Sequence, residues 1–167
     1  YKRQAYMYEN IQSPYQKALA NSSAYTEGYA VYAQFYAYKY LTGIDKNVLE
    51  ALKENELASY DIMILCDIGI HYEGWSLDDF SDFISEKGIN LEEDSLKTQY
   101  KQLQANPAAF EPYYVGYEEF MLLKETAQNK LGDKFNDKKF HEAILKSGNA
   151  PFTVVERNVA AYIKSAK

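Results

Sequence analysis

The chain is 167 residues long, 47% apolar and 25% charged, the size and make-up of one globular domain with a real core. A net charge of −6 and the lack of any Lys/Arg cluster exclude a protein that tracks nucleic-acid phosphates. No apolar run is long enough to span a bilayer, because the greasiest stretch, 62–70, is broken by Asp67 and Gly69.

Pro and Gly divide the sequence into segments of helical length, and few stretches alternate as a half-buried strand must, so the chain is predicted to be all-α, one multi-helix domain over 1–167. Weak helix signals cover 1–10 and 14–20, and a strong helix runs over 22–41, with Gly43 placed to stop it. A second long helix is expected from Lys46 to about His71. Ser76 and Asp79 form a capping-box pair that opens a short helix closed by Gly88, and the acidic run Glu92-Glu93-Asp94 suits the start of the next. Asn106-Pro107 interrupts before a helix over 112–131, which Gly132 ends. Two more helices follow over 137–147 and 151–163, separated by Gly148. Cys66 is the sole cysteine, so no intrachain disulfide can form, and it is expected to pack as a small apolar side chain. The chain opens Tyr-Lys-Arg-Gln-Ala without a Met, which suggests a processed or excised piece of something longer.

Four places could carry chemistry. Between Ala24 and Tyr38 the only charge is Glu27. On a helix Tyr25, Tyr29, Tyr32, Tyr36 and Tyr40 share one face, while Glu27, Val31, Gln34, Tyr38 and Leu41 lie opposite. The helix should therefore be buried nearly all round, and Glu27 with it. Such a carboxylate must meet a cation, be protonated or bind a metal, and the helix alone leaves these open. Asp67 and His71 stand four residues apart, a spacing at which a carboxylate can orient an imidazole, although a satisfied histidine near a helix C-terminus is the alternative, and Gly69 between them implies that something packs close there. Tyr113, near the start of a helix, offers a phenol that could stabilise an oxyanion, although in a chain with 17 tyrosines packing is the alternative. His141 precedes Glu142, but Leu145 stands where the second histidine of a His-Glu-x-x-His zinc motif belongs, so His141 reads as a structural or surface residue.

In order, Thr26-Glu27-Gly28-Tyr29-Ala30-x-Tyr32, Asp67-x-Gly69-Ile70-His71-x-x-Gly74-Trp75-Ser76, Tyr113-x-x-Gly116, Leu131-Gly132-Asp133-Lys134-Phe135 with Phe140-His141, and Pro151 resemble one bacterial family. It is the one catalogued as domain of unknown function eight-eight-five, whose members look like zinc metallopeptidases of the gluzincin type. The resemblance implies that this chain is the C-terminal part of a larger helical fold, preceded by a helix that carries two zinc-binding histidines and a general-base glutamate. Glu27 would be the third metal ligand, with Tyr29 standing where the family usually has Trp. His71 and Tyr113 would be the catalytic groups beside the substrate.

On that reading zinc belongs to the intact parent and not to this chain alone, which has one ligand where a catalytic site needs three. The implied partners are the missing N-terminal segment of the same protein and a peptide-like substrate. Without that segment the face beside Glu27 should be covered by a homodimer contact or left as an open groove. The three site residues should then share one concave surface. The resemblance also points to an extracytoplasmic or lipid-anchored location. A competing reading from another class is a non-catalytic helical binding or scaffold domain derived from such an enzyme.

Overall fold

The computed structural model describes residues 9, 13–15 and 21–166; the weak helix signals over 1–10 and 14–20 lie almost wholly outside them. Seven α-helices lie wholly within the described residues, in chain order α1 Ser23–Tyr38, α2 Lys46–Ile68, α3 Leu77–Glu86, α4 Glu93–Ala105, α5 Glu111–Leu131, α6 Asp137–Leu145 and α7 Phe152–Ala166. The described residues contain no strand, so the fold is all-α as the sequence predicts.

The helix ends follow local chemistry. Ser22 caps α1 by accepting from the Tyr25 N–H, and Asp45 caps α2 by accepting from the Asn47 N–H. At α3 both halves of the predicted capping box form: Ser76 Oγ accepts from Asp79 N, and Asp79 Oδ2 accepts from Ser76 N at 2.8 Å. α1 stops at Tyr38, three residues short of the expected end.

The helices form two compact units. Unit 1 comprises the described residues up to Lys39 together with those from Val115 on, and unit 2 comprises Tyr40–Tyr114.

In unit 1 the core is aromatic. Phe120 is fully buried, with Phe152 at 4.9 Å and Tyr25 at 5.2 Å between ring centroids, and Tyr29 and Tyr32 just beyond. α1 does not sink into this core all round, as its composition predicted. It buries only Tyr25, Gly28, Val31, Tyr32 and Phe35, leaving Ala30, Gln34 and Ala37 exposed and Glu27 half-buried. The reason lies in the alanines, which count as apolar in a helical pattern but bury too little surface to demand the interior.

In unit 2 Cys66, Ile70, Phe80, Ile84 and Leu103 are buried together, with Trp75, Phe83, Tyr100 and Phe110 packed around them. Cys66 sits wholly inside, and burial pushes its thiol up to about 11, so it packs as a small apolar residue and stays protonated at neutral pH.

Candidate functional site

Glu27 is held in place by the residue that follows it. Gly28 on α1 meets Gly116 on α5 with no side chain between them: a Cβ on Gly28 would lie 2.2 Å from the Gly116 carbonyl carbon, and one on Gly116 would lie 2.1 Å from Ala24 O. The two backbones touch, which is possible only where both residues lack a side chain. Further along α1, the Tyr25 hydroxyl donates to Ile144 O at 2.8 Å, and Ser22 N donates to Asn149 O at 3.1 Å. These contacts set the rotation of α1 and with it the direction of Glu27. Among the described residues no donor or cation pairs with the Glu27 carboxylate, and no three His, Cys, Asp or Glu side chains converge.

His71 belongs to unit 2, on a π turn over Gly69–Glu73 that follows directly from α2. Gly74 closes the turn at φ 76, and the Trp75 N–H comes back to Gly69 O at 2.9 Å. This lays the indole on Gly69, where a Cβ would be 2.2 Å from the ring, so the close packing predicted at Gly69 is the contact with Trp75. The π turn also separates the pair predicted from the i,i+4 spacing. Asp67, only 4% exposed, accepts from Ala108 N at 3.0 Å, while His71 Nε2 lies 3.0 Å from Leu103 O. Asp67 therefore does not orient His71: the widened turn changes the register after Ile68, and each side chain finds a backbone partner on another segment. A carbonyl only accepts, so His71 Nε2 carries the proton and Nδ1 remains for other contacts.

Tyr113, also in unit 2, stacks on Tyr60 at 5.4 Å with the planes 15° apart. Its N–H closes the first turn of α5 onto Phe110 O at 3.1 Å. Glu111 in the same turn has a carboxyl oxygen, Oε2, that is buried with no hydrogen-bond partner. Sequence reasoning passed over this acceptor, since nothing in the pattern distinguishes Glu111 from a helix-start acid.

The sequence also gave no sign of the polar cluster inside unit 1. The Tyr32 hydroxyl lies 2.8 Å from His141 Nε2, and Tyr36 meets the same imidazole edge-on at 4.6 Å. Lys124 Nζ sits 4.5 Å from the Tyr36 ring and 3.3 Å from Asp137, at ion-pair distance, and Lys39 adds a second contact to Asp137 at 3.6 Å. Burial holds the Tyr32 phenol well above its usual range, so it keeps its proton. Burial, and after it the Lys124 charge, lower the His141 imidazole below its ordinary 6.5. Burial opposes the Asp137 carboxylate, yet Lys124 and Lys39 still hold it below its usual range. His141, read from sequence as structural or surface, is thus a half-buried structural partner for a tyrosine 109 residues away.

The sign of the resulting pH dependence follows directly. The folded pKa of His141 lies below its unfolded value, so its contribution to stability is complete above 6.5 and is lost as pH falls through the folded value. The urea midpoint should fall between about pH 7 and about pH 5. His141→Gln, which keeps an acceptor for Tyr32, should flatten that slope by the His141 share. Equal slopes in variant and wild type would show that His141 is not the group responsible.

A family model described as bacterial protein of unknown function (DUF885) matches residues 3–159. The chain belongs to the DUF885 family. A crystal structure described as "the putative lipoprotein from Colwellia psychrerythraea" is 28% identical, with a TM-score of 0.70 over 86% of this chain. The chain spans 24% of the length of that structure. No curated protein matches the chain. Among the described residues of this DUF885 chain, no helix is long and apolar enough to cross a membrane.

The structure also accounts for several of the DUF885 motif positions. Gly28 and Gly116 are the helix crossing, Gly69 and Trp75 are one contact, Gly74 is a left-handed turn residue, and Ser76 is a cap. Tyr32 and His141, from two different motifs, meet in one hydrogen bond. Of the other motif side chains, His71 bonds Leu103 O and Tyr113 stacks on Tyr60, while Glu27 has no hydrogen bond or ion pair among the described residues.

Proposed function

We propose that this chain is part of a zinc-dependent peptidase or related hydrolase, in which Glu27 supplies one metal ligand and His71 and Tyr113 donate to the substrate carbonyl as it takes up charge. The observation that carries the reading is the Glu27 carboxylate: half-buried, the only charge between Ala24 and Tyr38, without a described donor or cation, and aimed by a backbone-on-backbone helix crossing. A structure that fixes so costly a group so firmly is in keeping with a ligand awaiting its partners. The other ligands and the general base would come from a part of the intact protein outside this chain, and the bound zinc would supply Lewis acidity and an activated water.

His71 and Tyr113 would contribute as hydrogen-bond donors. With its Nε2–H spent on Leu103 O, His71 has only Nδ1 to offer, and Nδ1 donates only while the ring is protonated. His71 would thus assist as an acid, and the Tyr113 phenol would add a second hydrogen bond to the developing oxyanion. The π turn beneath His71 supports a functional role, since such turns recur at functional sites. An extracytoplasmic, lipid-anchored location belongs to the same reading and rests on the Colwellia psychrerythraea structure.

The test is zinc content and hydrolysis in the intact protein. Wild type should carry about one zinc per chain, and Glu27→Gln should retain little of it and lose activity by about a hundredfold or more, with thermal unfolding of the metal-free form unchanged. Full zinc occupancy in Glu27→Gln would remove Glu27 from the ligand set, and a wild-type protein that carries no zinc would favour the scaffold alternative.

A further inference from the structure

We infer that unit 2 carries a binding pocket for a bulky apolar side chain of a peptide. The pocket, of about 360 Å³, is lined by Met63 from α2, Gln99, Gln102 and Leu103 from α4, and Ala109 and Phe110 from the turn that leads into α5. The inference deepens the peptidase reading by naming a substrate preference, and it rests on that reading for the identity of the ligand.

The chemistry of the lining selects the class. Among the described residues no Lys, Arg, Asp or Glu lines the pocket, so a charged group entering it would lose its hydration with nothing in return. Met63, Leu103, Ala109 and Phe110 supply an apolar floor, and methionine adapts to side chains of different shape. Gln99, Gln102 and Asn106 add primary amides, each able to donate and to accept, which is what the N–H and C=O groups on either side of a bound residue require. The volume lies at the small end of the range for ligand sites, enough for one large side chain with its flanking peptide groups.

A second observation is independent of the lining. The wall formed by 103–110 is clamped at both ends. His71 Nε2 donates to Leu103 O at 3.0 Å, and the buried Asp67 accepts from Ala108 N at 3.0 Å. Ala108 is the only described non-glycine residue with positive φ, at 58°, a conformation that L-residues rarely adopt. Strained backbone persists where its surroundings over-determine it, and binding clamps are among the places where it gathers. Here a buried carboxyl group and a motif histidine both serve to keep one turn in an unfavourable shape. The result is a rigid pocket wall, and rigidity before binding raises affinity.

The experiment is an NMR titration of the chain with N-acetyl-leucinamide and N-acetyl-phenylalaninamide, with N-acetyl-lysinamide as the charged comparison. The apolar amides should shift the Met63 methyl and the Gln99 and Gln102 side-chain amides, and the lysine derivative should bind about tenfold more weakly. Met63→Glu should weaken the apolar ligands by about tenfold, while Met63→Leu stays near wild type. Ala108→Gly should leave the fold as stable or more so, because it relieves the strained φ, yet weaken binding by a few fold as the wall loosens. The proposal is overturned if the apolar amides shift no pocket resonance, if the lysine derivative binds as well, or if Met63→Glu leaves affinity unchanged. The titration needs no metal and should be unaffected by Glu27→Gln, so its failure and that of the zinc reading can be told apart.

Discussion

Gly116→Ala should destabilise unit 1 by about 3 kcal/mol or more, enough to remove most of the stability of a small domain. The added methyl would sit 2.1 Å from Ala24 O and 2.8 Å from Gly28 Cα, both backbone atoms of a helix that cannot rotate a side chain out of the way. Alanine gains about 1 kcal/mol over glycine in helix propensity, and the clash must exceed that before any loss is seen. It does, because relief requires α1 and α5 to separate, which pulls Tyr25 and Tyr32 away from Phe120. Gly28→Ala should behave alike, since its methyl would meet Gly116 at 2.2–2.7 Å. The double variant should cost less than the sum of the two, because the second methyl enters a joint that the first has already opened. Gly43→Ala is the control: it has a left-handed φ of 81° but nothing within 4 Å, so only the backbone term of about 1 kcal/mol applies. Urea unfolding of the four variants distinguishes these cases. A Gly116→Ala chain within about 1 kcal/mol of wild type would show that the crossing is loose and does not direct Glu27.

That crossing also shows where sequence reading stops. Signals that act within a few residues were legible: the all-α class, the Ser76–Asp79 capping box, the close packing at Gly69, and the glycines that follow α3 and α5. Each rests on backbone chemistry that neighbouring residues determine. The pairing of Tyr32 with His141 joins positions 109 apart, and that of Asp67 with Ala108 joins positions 41 apart, so both depend on how helices pack and neither leaves a periodic trace. Asp67 and His71 illustrate the failure most clearly. Their spacing is right for a pair on a regular helix, but the sequence gives no sign that the helix widens into a π turn at Gly69. α1 failed for a different reason: tyrosine and alanine both score as apolar, yet Ala30 and Ala37 face solvent, because an alanine buries too little surface to demand the interior. Of the candidate site, the resemblance supplied Glu27, His71 and Tyr113 one by one. The bonds around them, to Leu103, to Tyr60 and through Gly28, became visible only in the structure.

Phe120→Ala should cost about 3–5 kcal/mol, the usual range for deleting a fully buried phenylalanine, and Phe120→Leu about 1–2 kcal/mol. The ring at Phe120 is the common neighbour of Tyr25, Tyr29 and Tyr32 on α1 and of Phe152 on α7, so its removal opens the cavity beneath the helix that carries Glu27. The milder leucine variant tests function separately from folding. If Phe120 packing keeps Tyr32 against His141, then Phe120→Leu should loosen that pair and let water reach the imidazole, and the His141 titration should move up toward its ordinary 6.5. The His71 Cε1–H signal, on the other unit, should keep its wild-type position. NMR of the two imidazole Cε1–H signals against pH measures both in one experiment. A Phe120→Leu chain that is destabilised but keeps the wild-type His141 titration would show that α6 and α1 hold their hydrogen bond without the aromatic core. The placement of Glu27 would then rest on the Gly28–Gly116 crossing alone.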